Sequence, residues 1–122
     1  MKIERFEDAK AWQIARELTK LVYEVTSSGA FARDFRLKDQ IRDAAGSVMH
    51  NIAEGFDAGS DAEFIRFLRY SRRSASEVQS QLYITLDQMY INADQFRLIY
   101  DKATEAKKLV NGFIGYLHRS HS

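Results

Sequence analysis

"NIAEGFDAGSDAEF", Asn51 to Phe64, separates two long runs of periodic apolar residues, and its reading decides the fold. Ser60 is followed three residues later by Glu63 and then by Phe64, which opens the next apolar row. Ser-x-x-Glu is a capping box: each side chain satisfies a backbone N–H that the first turn of a helix leaves without a partner. Upstream, Gly55 is expected to be the left-handed residue just past a helix C-terminus, where a Cβ is penalised. "GFDAGS" then reads as a joint between two helices. Two ligand-binding readings fail on spacing. A calcium loop starting at Asp57 would put Gly59 at the third position, which needs an oxygen ligand, and Ala62 at the sixth, which needs glycine. A phosphate loop would follow a strand, and no strand pattern precedes Asn51.

Working outward from the joint, apolar residues recur at steps of three and four, the period of a helix with one buried face. The first helix is expected over residues 8–27, with Ala11, Ile14, Leu18, Leu21 and Val25 inward, until "SSGAF" breaks the pattern. The second is expected over 34–54, with Leu37, Ile41, Ala44, Val48 and Ile52 inward. The third is expected over 61–91, with an inner row of Phe64, Leu68, Ser71, Ala75, Val78, Leu82, Thr85 and Met89. The fourth, over 93–118, begins at a second cap made by Asn92 and Gln95. It keeps a heptad seam through Phe96, Ile99, Ala103, Ala106, Val110, Phe113 and Leu117. Four such helices with short connections predict an all-α, antiparallel up-down-up-down four-helix bundle. Residues 1–122 are the length of a single domain with one core.

Composition agrees. The chain has no proline, which favours uninterrupted helices, and no cysteine, which excludes disulfide and thiolate chemistry and fits a reducing, cytoplasmic location. The start, "MKIERFEDAK", lacks the apolar segment of a signal peptide. No apolar run reaches the roughly 18 residues of a membrane span, so no membrane partner is expected. A net charge of +1 names no partner, and any nucleic-acid argument has to rest on local patches.

Catalysis finds little support: there is no cysteine, no Gly-x-Ser-x-Gly and no His-Glu-x-x-His, and no catalytic residue or cofactor is expected. His50 and Glu54 have metal-compatible i,i+4 spacing, but two ligands on one helix do not make a site, and no metal is expected. His118 and His121 fall in the tail and are expected to be solvated. A basic stripe is more informative. Arg66, Arg69 and Arg73 share an outward helix face, Arg72 lies one step further round, and Arg42 on the second helix is a candidate extension. Guanidinium forks match phosphate oxygens, so these five residues are the candidate nucleic-acid contacts. The other reading is a solvated face paired to Asp61, Glu63 and Glu77. The third helix also carries Tyr83, Ile84, Tyr90 and Ile91 outside its inner row. They are the candidate oligomer interface, since contiguous exposed apolar patches usually have a partner; alternatively they pack under the first helix or cover a bundle end.

"FEDAKAWQIARELTKLVYEVT", "DFRLKDQIRDAAGSVMHNIAEGF", "EFIRFL" and "SASEVQSQLYITLDQMYI" together resemble the bacterial 23S rRNA-intervening sequence protein family. The resemblance spans nearly the whole chain, and "NIAEG" followed by "EFxxFL" is its most specific part. The family is similar in turn to the accessory variability proteins of diversity-generating retroelements. The resemblance implies a small cytosolic helical bundle that assembles into a ring, typically a homopentamer, with no known enzymatic activity and a suspected role with RNA or DNA. A protein partner, as in the retroelement relatives, is the alternative it implies. The chain departs from the family at Asp43, where a basic residue is common, and at Ser71-Arg72-Arg73-Ser74, where a small glycine-containing step is common.

Overall fold

Ser60 stands where a helix begins. In the computed structural model, which describes residues 3–120, its extended backbone (φ −158°) lets Oγ accept from the Glu63 N–H at 3.2 Å. The cap is half of the expected box, because the Glu63 carboxylate turns outward to Arg66 at 2.7 Å. The second cap is complete: the Gln95 N–H donates to Asn92 Oδ1 at 2.8 Å, and the Asn92 N–H donates to Gln95 Oε1 at 2.9 Å.

A 3-10 turn, Phe6–Asp8, leads into five α-helices: α1 (Lys10–Thr26), α2 (Gly29–Arg33), α3 (Phe35–Phe56), α4 (Asp61–Asp87) and α5 (Ala93–Ser120). The described residues contain no strand. The four long helices form an antiparallel bundle in which α1 packs on α3, α3 on α4, α4 on α5, and α5 back on α1. Helix α1 therefore lies diagonal to α4, and α3 diagonal to α5. The core runs along the axis through Leu18, Val22, Ile41, Val48, Ile52, Leu68, Val78, Leu82, Ile99 and Val110, all buried. Ser71 also lies in the core, because its hydroxyl donates to the Val48 carbonyl of α3 at 2.7 Å.

The structure corrects the expected boundaries and inward-facing residues. Gly55 is not the left-handed end of a helix. It is buried inside α3, which runs on to Phe56 and is capped by Asp57. The glycine with positive φ is Gly29 (φ 67°), in the stretch read only as a break; there it starts the short helix α2, which buries Phe31. In α1, Leu21 and Val25 are half-buried, while Val22 and Thr26 take the core positions. A helix tolerates a buried threonine because its hydroxyl can donate back to the preceding turn, here to the Val22 carbonyl at 2.8 Å. Finally, α4 ends at Asp87, four residues short of the expected end, and Met89 is not inward but 87% exposed. Met89 takes φ 60°, the Met89 N–H donates to the Leu86 carbonyl and the Tyr90 N–H to the Thr85 carbonyl, which is a Schellman stop.

Candidate nucleic-acid interface

Helix α4 buries Leu68, Ser71, Ala75, Val78 and Leu82 at steps of three and four, which leaves Arg66, Arg69 and Arg73 on the exposed side. Their surroundings differ. The Arg66 guanidinium pairs with Glu63 one turn earlier. Arg72 leans into the groove between α4 and α5, where it donates to Asn111 Oδ1 at 2.6 Å. Among the described residues, no ion pair involves Arg69 or Arg73. Glu77, one turn beyond Arg73, instead accepts from the Gln81 amide at 3.4 Å. Among the described residues, the face thus keeps two guanidinium groups unpaired with carboxylates, next to a third paired to Glu63.

Arg42 is not part of this face. Its Nε donates to Thr26 Oγ1 at 2.8 Å, Nη2 donates to Ser27 Oγ at 3.4 Å, and the guanidinium lies 4.2 Å over the Tyr23 ring. It thereby sits at the C-terminal end of α1, where a cation complements the helix dipole. Arg42 occupies the α1–α3 groove and Arg72 the α4–α5 groove, on opposite sides of the bundle. Sequence placed both on one wheel face each, but could not say which neighbour each face meets.

Tyr70 was missed. It lies four residues after Arg66 and three before Arg73, and both guanidinium groups approach its ring, at 5.9 and 5.6 Å from the centroid. Phe67 meets Tyr70 edge-on at 6.1 Å and also receives Arg66 at 5.6 Å. The Arg-x-x-x-Tyr-x-x-Arg spacing was available in the sequence as the signal.

The four apolar candidates split into two pairs. Tyr83 and Ile84 remain about half exposed, with the Tyr83 ring edge-on to Phe96 of α5 at 5.0 Å. Ile91 is buried in the protomer and Tyr90 half-buried, so neither lies on an outer stripe. The Schellman stop at Met89 turns the chain, and both side chains fold back over the bundle end. There Tyr90 stacks on Phe31 at 5.1 Å and donates to Asp34 Oδ2 at 3.0 Å. That hydrogen bond holds the Tyr90 phenol above the usual tyrosine range, with burial as the second cause.

At the other end of the bundle, Phe56, Phe64 and Phe113 pack ring against ring and line a cavity of about 600 Å³ with Tyr116, rimmed by Lys10 and Lys108. Among the described residues, no group of three or more His, Cys, Asp or Glu side chains converges, at His50 or elsewhere. His118 is exposed, and His121 lies outside the described residues. Among the described residues, no helix is long and apolar enough to cross a membrane.

Comparison with known proteins adds two findings. The family model for 23S rRNA-intervening sequence proteins matches residues 7–112. Among solved structures, the chain is similar to a protein of unknown function from the S23 ribosomal protein family of Bacteroides thetaiotaomicron VPI-5482. The two share 25% identity and a TM-score of 0.79 over 86% of this chain and 95% of the other. No curated protein matches.

Proposed function

The chain belongs to the 23S rRNA-intervening sequence protein family, and from that premise we propose that it is a non-enzymatic, homo-oligomeric scaffold that binds nucleic acid weakly through backbone phosphates. The observation that carries the reading is the outward face of α4, where Arg69 and Arg73 stand without carboxylate partners among the described residues. Guanidinium groups in that state bind phosphate oxygens without first breaking an ion pair. Assembly would repeat the face by symmetry and multiply weak contacts. The half-exposed Tyr83 and Ile84 support a subunit contact, and a homopentamer is the assembly that the family resemblance implies.

The test is charge reversal at Arg69 and Arg73 together, with RNA and DNA binding measured against the parent. The parent should bind both with a steep loss as salt rises, because association releases condensed counterions. The double variant should bind at least tenfold more weakly at the same solution mass. Unchanged affinity would leave the α4 face as a solvated surface. Assembly is tested separately by light scattering: the parent should exceed 14.1 kDa, and Ile84→Asp should lower the mass while keeping helix content.

A second reading, a protein–protein adaptor with no nucleic-acid contact of its own, draws on the aromatic-lined cavity at the Phe56–Phe113 end. Apolar cavities of this size suit an inserted side chain or ligand. The adaptor becomes the better reading if the parent binds neither RNA nor DNA at low salt.

A further inference from the structure

Half-buried aromatic rings in this bundle have an evident role: Trp12, Phe56, Phe64, Tyr90, Phe96, Tyr100 and Phe113 pack against the core. Phe67 and Tyr70 are half-buried without joining that packing. Their ring neighbours are each other and the guanidinium groups of Arg66 and Arg73. A tyrosine on the outer side of a helix, held among cations rather than against the core, calls for an explanation other than stability.

We propose that Tyr70 is a base-stacking position between phosphate-binding arginines, so that the α4 face takes single-stranded nucleic acid in preference to duplex. The inference rests on the phosphate reading given above and narrows its ligand. Arg66 and Arg73 are seven residues apart, which on a helix is about 10 Å along the axis, and Tyr70 sits between them on the same side. The order is cation, ring, cation. A single strand presents a matching order of phosphate, base face, phosphate, and its unstacked bases are free to lie on an aromatic ring. A duplex keeps its base faces inside and can use the arginines alone. Phe67, edge-on to Tyr70, holds the ring in place from the side. The Arg73 guanidinium rests over the ring and is at hand for one flanking phosphate, since an exposed cation–π contact is weak enough to exchange; Arg66 reaches the other by leaving its exposed Glu63 pair, which is worth little.

The experiment compares a single strand with a duplex of the same length and sequence, at low salt, for the parent, Tyr70→Leu and Tyr70→Trp. Helix content and solution mass are checked for each. Tyr70→Leu keeps the apolar bulk and removes the ring. It should weaken single-strand binding by about tenfold, leave duplex binding within about twofold, and leave the salt dependence unchanged. Tyr70→Trp should restore single-strand binding. Should Tyr70→Leu fail to fold, photocrosslinking of the parent to a bromouridine-substituted strand reads the same contact, and the adduct should map to Tyr70. Equal losses for both ligands, no loss for the single strand, or a crosslink confined to other residues would each overturn the stacking role while leaving the phosphate reading intact. A parent that binds neither ligand brings down both.

Discussion

Phe64 occupies the space that a side chain on Gly55 would need: its ring Cδ1 lies 2.5 Å from the position of a Cβ there, and Cε1 lies at 2.7 Å. Gly55 sits in the last turn of α3 and Phe64 in the first turn of α4, so the two helices approach backbone to ring across the joint. Gly55→Ala should therefore destabilise the protein by about 1–3 kcal/mol through overpacking, although alanine is otherwise the better helix former. Phe64→Leu should recover part of that loss in the double variant. Denaturant melts of the four proteins check it, and simple additivity would show that the ring is not the obstacle.

Met89 makes the opposite prediction. It holds a left-handed backbone with its side chain almost wholly exposed. A non-glycine residue there costs about 1 kcal/mol, and the Met89 side chain returns little by burial. Met89→Gly should raise stability by about 0.5–1 kcal/mol. A melt in which the glycine variant is less stable would show that Met89 packs on something beyond the protomer.

The two caps differ in the length of the bond that each side chain accepts, and their substitutions should differ accordingly. Asn92→Ala removes the acceptor of a shorter bond, 2.8 Å from the Gln95 N–H, while the Asn92 backbone N–H keeps Gln95 Oε1; Ser60→Ala removes the acceptor of a longer one, 3.2 Å from the Glu63 N–H. Both should fall within about 0.5–2 kcal/mol, with Asn92→Ala the larger. Thermal unfolding of the two variants ranks them.

Tyr90 gives the protein an alkaline limit. Its phenol donates to the Asp34 carboxylate, and that bond raises its pKa above the unfolded value of about 10. The stabilisation is fully present below the unfolded pKa and is lost as pH rises through the higher folded one. Stability should thus fall with alkaline pH more steeply in the parent than in Tyr90→Phe. Identical pH profiles above pH 10 would show that the Asp34 contact contributes nothing.

The bundle was legible because its information is periodic. Leu37, Ile41, Ala44, Val48 and Ile52 repeat at the helix period and are all buried as expected. What escaped was non-periodic. Gly55 reads as a left-handed cap in the sequence and proves to be a close approach inside α3, since both require the absence of a Cβ. Tyr90 and Ile91 continued the α4 pattern in sequence, and the stop that redirects them is made by Met89, a residue with no turn signature. The arginines were recognised by type and spacing, but their partners lie far along the chain: Asn111 for Arg72, 39 residues away, and Thr26 for Arg42, 16 residues away. Tyr70 was overlooked for a different reason: an aromatic residue on a helix is usually counted toward the core before its position on the wheel is weighed.

The cyclic order of the helices also has a kinetic consequence. Helices α3 and α4 share the most extensive contact and are joined by residues 57–60 alone, whereas α1 and α5 meet only when the whole chain has closed on itself. Closing a short loop costs less entropy than closing a long one, so the α3–α4 hairpin is expected in the folding transition state and the α1–α5 seam after it. Changes at the two places should separate in time-resolved experiments. Val48→Ala, within the hairpin, should mainly slow folding, while removal of the Lys102–Glu17 pair (3.7 Å) across the late seam should mainly speed unfolding. The seam between the first and last long helices would then act as the latch whose opening sets the lifetime of the folded protomer.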